Sequence, residues 1–178
     1  MPGTLLLTLF APQSLRPDLA ALYRFHDELA AIPVRVKEPI LREIRRQWWR
    51  ESVAAIYEGH PFPRTDLLGA LRDAVIRHHL TRDHLDAMIA GEESAVHLVY
   101  LTLEVVGVRE GPALVAARPI GLAYEGEEVA RNLAAARALA PLIPKAARPA
   151  LRLATLTRWR NHPLAAWALL WAAVRGRY

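Results

Sequence analysis

Cysteine is absent from the 178-residue chain, which excludes disulfide bonds, thiolate metal sites and a cysteine nucleophile. A chain without disulfides suits a reducing compartment. An apolar run of about 18 residues, which a membrane-spanning helix needs, is also missing. The longest candidates are 95–108, which contains His97 and Glu104, and 163–174, which is too short. The apolar stretch TLLLTLF at 4–10 has neither a basic preceding segment nor a clear cleavage site, so we expect no signal peptide.

The composition is that of a folded domain with a basic surface. Hydrophobic residues make up 53% of the chain, which argues against disorder. The length suits one domain with a real core, so we expect residues 1–178 to form a single domain. The formal charge of +5 comes mostly from arginine and favours an acidic partner, an anionic membrane surface or a phosphorylated ligand.

Proline and glycine divide the sequence into helix-length segments, and strand-like alternation is almost absent. A 3.6-residue period predicts a first helix over 17–32, ended by Pro33. A second helix is predicted from Pro39 to Glu58, with Gly59 as its stop. The apolar stripe of the first helix consists of Leu19, Leu22, Tyr23, Leu29 and Ile32. That of the second consists of Leu41, Ile44, Trp48, Ala55 and Ile56. The two helices should pack together through Leu22, Leu29, Ile44 and Trp48.

The rest of the chain continues this pattern. A third helix over 66–79 should bury Leu67, Leu68, Leu71 and Val75. A short fourth helix follows Thr81, its predicted N-cap, and stops near Gly91. Residues 94–107 are rich in β-branched side chains, but their length and the lack of a partner strand favour a buried helix. Further helices are predicted at about 111–123, 126–140, 146–160 and 163–175. We therefore predict an all-α helical bundle with short connections.

Two polar clusters have the composition of metal sites. RHHLTRDH at 77–84 places His79 and Asp83 four residues apart, a usable ligand spacing on a continuous helix. A helix boundary at Leu80 and Thr81 favours a solvated turn instead. EGEE at 125–128 lies at the start of a predicted helix, where the helix macrodipole favours acidic side chains. There is also no phosphate loop, nucleophile elbow or zinc-type His-Glu motif. We therefore expect no metal site.

Arginines crowd the predicted second helix. REIRRQWWRES at 42–52 mixes them with two tryptophans, and the periodicity places Trp48 toward the core. Arginine beside an aromatic suits nucleic acid, but Glu43 and Glu51 lie among the bases, so no nucleic-acid partner is expected. The bases are instead expected to form a contact surface for an acidic protein or for lipid headgroups. This surface consists of Arg42, Arg45, Arg46 and Arg50.

Read in order, the segments resemble a known family. LRPDLAALYRFHDELAAI, EPILREIRRQWWRESVAAIYEGHP and LLGALRDAVIRHHLTRDHLDAMIAGEE are similar to the N-terminal half of the squalene/phytoene synthase family. SAVHLVYLTLEVVGV and ARPIGLAY continue the resemblance. The tail, ARALAPLIPKAARPAL and HPLAAWALLWAAVRGRY, resembles the branch that contains the assembly factors of respiratory complex I. The resemblance implies a shortened version of the all-α isoprenoid-synthase fold.

Active enzymes of this family join two prenyl diphosphates head to head, and their aspartates hold magnesium against the diphosphate. The resemblance places Glu28 on a family glutamate one turn before the first Asp-Asp-x-x-Asp motif. Ala30, Ala31 and Val34 then occupy the three aspartate positions. The helix with the second motif is missing after Glu93, and the segment after 124 is also shortened.

The resemblance therefore implies a non-catalytic protein without a cofactor, which binds or helps assemble a membrane-associated complex such as respiratory complex I. We expect a protein partner, a cytoplasmic location and a peripheral place on the inner face of the membrane. A cavity between the helices would hold an isoprenoid-like tail; its candidate residues are Tyr23, Phe25, Asp27, Glu28 and Trp48.

Two alternatives stay open. One is an active prenyltransferase that binds magnesium through other acids: Asp27, Glu28, Glu125, Glu127 and Glu128. The other is a membrane-surface module, in which Trp167 and Trp171 lie at the interface beside Arg175 and Arg177.

Overall fold

The computed structural model describes residues 7–9, 11–148, 150–154 and 157. Within these ranges the chain forms seven α-helices and no strand, so the all-α prediction is confirmed. The helices are α1 (Arg16–Arg35), α2 (Pro39–Glu58), α3 (Asp66–His78), α4 (Arg82–Ala90), α5 (Ser94–Val105), α6 (Pro112–Glu125) and α7 (Val129–Leu139). None of the helices in these ranges is both long and apolar enough to cross a membrane.

Local signals set most helix ends where the sequence placed them. Helix α2 has the predicted bounds, and Gly59 ends it in the left-handed region at φ 69°, a conformation that glycine adopts without strain. Gly91 ends α4 in the same way. The Thr65 hydroxyl caps α3 by accepting a hydrogen bond from the Leu68 amide, 3.2 Å away. Thr81 is the N-cap of α4, but its hydroxyl donates to Glu104 rather than capping its own helix.

The prediction that Pro33 ends α1 is wrong, because the helix runs on to Arg35. Proline removes one donor, the one that would bond to the carbonyl of Leu29. The helical hydrogen bonds continue after Pro33, since the Val36 amide donates to the Ile32 carbonyl at 2.9 Å. Pro33 itself is exposed, so its ring costs no core packing.

The core is organised around α5, which lies against α1, α3, α4 and α6. Nearly the whole length of α5 is buried, which confirms the buried helix predicted over 94–107. Helix α6 approaches α5 closely at Gly121, where a Cβ atom would collide with the backbone of Val96. The predicted core residues of α1 and α3 are all buried.

The predicted core stripe of α2 is wrong in its first half. Leu41 and Ile44 are 49% and 60% exposed, whereas Trp49 is only 6% exposed. The residues of α2 that face the core are Trp49, Ser52, Val53 and Ile56. Contact with α1 accordingly runs through Trp49, whose ring meets Phe25 edge-on with centroids 5.2 Å apart, and not through Ile44. Both stripes satisfy the 3.6-residue period, and only packing chooses between them.

The predicted helix over 146–160 is wrong at its start, whereas residues 153, 154 and 157 are helical and 149, 155, 156 and 158–160 lie outside the described residues. The structure has short 3-10 turns at Ala140–Leu142, Lys145–Ala147 and Ala150–Arg152. Prolines at 141, 144 and 149 remove backbone donors from this stretch. The predicted helix over 163–175, with Trp167, Trp171, Arg175 and Arg177, lies outside the described residues.

Candidate functional site

Two of the predicted pocket residues are part of the packed interior. Tyr23 is 2% exposed and Phe25 is fully buried. Burial raises the pKa of the Tyr23 hydroxyl far above its ordinary value, although a hydrogen bond with Thr102 opposes the shift. Trp48 is half-buried and meets Trp49 edge-on, with ring centroids 4.8 Å apart. Tyr23 and Phe25 therefore lie on the side of α1 that packs into the core, and their side chains expose almost no surface to a ligand.

Asp27 and Glu28 lie nearer the surface of α1, and both carboxylates have partners. Asp27 Oδ1 is 3.4 Å from Nδ1 of His26. Glu28 Oε2 accepts a hydrogen bond from Nη1 of Arg35 at 2.8 Å, in an ion pair that is largely exposed. A charged partner at this distance competes with any metal ion for Glu28.

Ala30, Ala31 and Val34, which the resemblance places on the first aspartate motif, lie just beyond Glu28 on α1. Ala30 and Val34 are exposed, Val34 by 69%, and Ala31 is half-buried. These side chains have no atom that can ligate magnesium, which takes oxygen ligands. Across the described ranges, the structure contains no group of three or more histidine, aspartate or glutamate side chains that could hold a metal ion.

The acids considered as substitutes are used elsewhere in the fold. Glu125 Oε1 accepts a hydrogen bond from the Ala95 amide at 2.7 Å, which caps the N-terminus of α5. Glu128 Oε2 binds Nη1 of Arg131 at 2.7 Å, and Glu127 is exposed. Glu125 is thus a structural cap, placed between two helices that pack closely.

The arginines of α2 have different roles. Arg42 donates from Nε to the Val36 carbonyl at 2.7 Å and from Nη2 to the Lys37 carbonyl at 2.9 Å. It therefore binds the carbonyls that follow α1. Arg46 donates to the carbonyl of Ala90 at the C-terminus of α4. Each guanidinium lies where the negative end of a helix dipole favours a cation.

The other two arginines lie toward solvent. Arg50 Nη1 donates to Glu43 Oε1 at 2.7 Å and to Gln47 Oε1 at 3.2 Å. The hydrogen bond from Arg50 lowers the pKa of the Glu43 carboxyl. Arg45 is exposed. The predicted basic surface is thus divided: two members hold helix ends, one is ion-paired, and Arg45 faces solvent.

The outer side of α2 carries an apolar face that the sequence analysis assigned to the core. Ile40 and Ile44 are 75% and 60% exposed, and Leu41 lies beside them. The face lines an open groove of about 640 Å³. The residues that line this groove are Ile40, Glu43, Ile44, Gln47, Trp48 and Glu51. We call it the α2 groove.

The RHHLTRDH segment contains the helix boundary that the sequence predicted at Leu80 and Thr81, but Leu80 is buried rather than solvated. Helix α3 ends at His78, and His79 adopts the left-handed conformation at φ 50°. Arg77 and His78 both reach back to the buried Asp18, at distances of 2.5 to 2.8 Å. His79 and Asp83 therefore belong to different elements, a turn and α4, with no continuous helix between them.

Two histidines form a contact that the sequence pattern does not predict. His84 on α4 and His97 on α5 bring their Nδ1 atoms to 2.9 Å. The two residues are 13 positions apart and on different helices, so no periodicity could have found the contact.

Comparison with known proteins places these features in context. The family model described as squalene/phytoene synthase matches residues 4–106. Curated relatives include NADH dehydrogenase (ubiquinone) complex I, assembly factor 6, from Bos taurus, 32% identical over 138 residues, and from Homo sapiens, 30% identical over 138 residues. Both matches cover 66% of this chain and 41% of the relative. The chain thus spans about two fifths of the length of these relatives. No solved structure matches.

Proposed function

The chain belongs to the squalene/phytoene synthase family, and we propose that it is a non-catalytic member that binds or helps assemble a membrane-associated complex such as respiratory complex I. The similarity to the complex I assembly factors supports a protein partner. We further propose that the protein is cytoplasmic and lies peripherally on the inner face of the membrane.

One observation carries the loss of catalysis: the three motif positions on α1 hold Ala30, Ala31 and Val34. Departure of a diphosphate needs metal ions that neutralise its charge, and these ions need oxygen ligands. Ala30, Ala31 and Val34 supply no ligand, and the neighbouring carboxylates of α1 already have partners, because Asp27 lies beside His26 and Glu28 binds Arg35.

Incubation with farnesyl or geranylgeranyl diphosphate and magnesium tests this loss directly. We expect no coupled product, while an active squalene or phytoene synthase in a parallel reaction gives one. Turnover that disappears in Glu28→Gln would contradict the proposal and favour the prenyltransferase alternative. Binding of an isoprenoid-like tail is a separate proposal, tested by equilibrium dialysis of the labelled diphosphates without magnesium.

We propose the outer side of α2 as the partner-binding surface. It combines the exposed Arg45 with the apolar side chains of the α2 groove, which favours a protein contact because interfaces bury apolar groups and enrich arginine. Of the four arginines first considered, Arg42 and Arg46 are bound to backbone carbonyls. Arg45 and Arg50 are therefore the bases of this surface that a partner would meet.

A double variant, Ile44→Asp with Arg45→Glu, tests the surface because both side chains are exposed. We expect unchanged helicity and melting, but reduced recovery of complex I subunits captured from native membranes. Arg131→Glu, an exposed charge reversal on α7, is the matched control and should bind normally. The contribution of Arg45 should also weaken with salt, since exposed charges are screened over about 8–10 Å. Equal recovery by the double variant and wild type at low salt would place the contact elsewhere.

A further inference from the structure

The contact between His84 and His97 joins α4 to α5. The Nδ1 atoms are 2.9 Å apart and the ring centres 5.1 Å apart, so the nitrogens face each other nearly head-on. At this distance one nitrogen must carry a proton and the other must accept it. Tyr100, one turn after His97, stacks on the His84 ring with centroids 5.0 Å apart and planes 16° apart. The stack holds His84 in the orientation that faces its partner.

From this geometry we propose that His84 and His97 form a pH-sensitive joint, closed while the pair shares one proton and opened when both rings are protonated. Two imidazolium rings have no lone pair to accept a hydrogen bond, and like charges this close repel. When the second ring is protonated, the hydrogen bond is therefore lost and the two positive charges repel each other. This repulsion acts across the contact between α4 and α5, which we call the α4–α5 seam.

The position of the pair in the fold also disfavours positive charge. His84 is the third residue of α4 and His97 the fourth of α5, so both rings lie near helix N-termini, where the dipole opposes a cation. Both side chains are half-buried. Burial lowers the pKa of each ring below its ordinary value of 6.5, and for His84 the charge of His97 adds to the effect.

Nearby carboxylates oppose this effect. Asp83 and Glu104 raise the pKa of His84, and Glu92 and Glu93 do the same for His97. Two of the four are already committed: Glu93 binds Arg118 of α6 at 2.5 Å, and Glu104 accepts hydrogen bonds from Thr81 and Arg109. On the α2 side, Arg46 binds the Ala90 carbonyl and Glu58 lies 3.6 Å from Arg82. Two of the four carboxylates that could offset a second imidazolium are therefore already paired, and the other two, Asp83 and Glu92, are exposed to solvent.

The direction of the pH effect follows from these shifts. Because the folded pKa values lie below 6.5, the unfolded or opened chain takes up protons first as the pH falls. The histidine contact contributes fully to the free energy of unfolding when the pH is above the ordinary histidine pKa, and this contribution decreases as the pH falls below that pKa. Each proton taken up changes the opening equilibrium by up to about tenfold per pH unit.

The test compares His84→Gln, His97→Gln and the double variant with wild type between about pH 8 and pH 5. Hydrogen exchange, corrected for its intrinsic pH dependence, should accelerate in α4 and α5 of wild type as the pH falls. The double variant should lose most of this acceleration. His60→Gln is the matched control, because His60 is exposed and outside the seam. The same pH dependence in the double variant and wild type would overturn the proposal.

A second measurement uses only the wild-type protein, so its result does not depend on whether the variants fold. Imidazole ¹⁵N spectra should show a shared Nδ1–H···Nδ1 hydrogen bond at neutral pH, lost in acid as both rings titrate below their ordinary pKa. Independent titration of the two rings near 6.5 would overturn the proposal. So would stabilisation by Zn²⁺ at neutral pH that both single variants abolish, because the pair would then be a metal site.

Discussion

Replacement of Trp49 by alanine tests which stripe of α2 faces the core. Trp49 is 6% exposed and its ring meets Phe25 edge-on at 5.2 Å. Truncation of a buried tryptophan costs about 3–5 kcal/mol, because the transfer term and the cavity add. For a chain of this length, the melting temperature should fall by roughly 6–20 °C.

Trp48→Ala is the internal control, since it removes the same side chain one position earlier on the same helix. Trp48 is half-buried, so its truncation should cost only about 1–2 kcal/mol. Urea unfolding followed by circular dichroism gives both free energies, and equal slopes against denaturant would show that the same transition is compared. A larger loss for Trp48→Ala than for Trp49→Ala would refute the assignment of the core face.

Three further predictions follow from contacts between helices. Gly121→Ala should destabilise the protein by about 1–3 kcal/mol or more, because the added Cβ atom collides with the backbone of α5. Gly69→Ala on α3 has open space around it and should stabilise the protein by up to about 1 kcal/mol. Thermal melts compare the two variants, and equal effects would contradict the close approach of α6 to α5. Asp18→Asn should cost about 1–3 kcal/mol by weakening the hydrogen bonds that a buried carboxylate makes to its two basic partners, and an unchanged unfolding midpoint would contradict that role. Arg46→Glu should destabilise the protein by about 1 kcal/mol or more, because it removes the donor at the end of α4. Arg45→Glu should leave the stability within about 0.5 kcal/mol of wild type. The unfolding midpoints of the two variants in urea distinguish a structural arginine from a surface one.

Local signals along the chain specify most of the helices and most of their ends. The bounds of α2, the glycines that stop α2 and α4, and the Thr65 cap of α3 are local features, because they depend on backbone preferences within a few residues. The prediction that Ala30, Ala31 and Val34 replace an aspartate motif likewise rests on the sequence, once it is compared with the family.

Packing between the helices selects which side of each helix faces the core and which polar groups meet. Trp48 and Trp49 differ by a rotation of about 100° around α2, and both leave an apolar stripe, so packing against α1 and α4 made the choice. Arg42 and Arg46 look like surface charges until the ends of α1 and α4 come within reach. The pairing of His84 with His97 depends on how α4 and α5 pack. The contacts of Arg46 and of the histidine pair join residues 44 and 13 positions apart, and local sequence patterns do not indicate which separate segments meet.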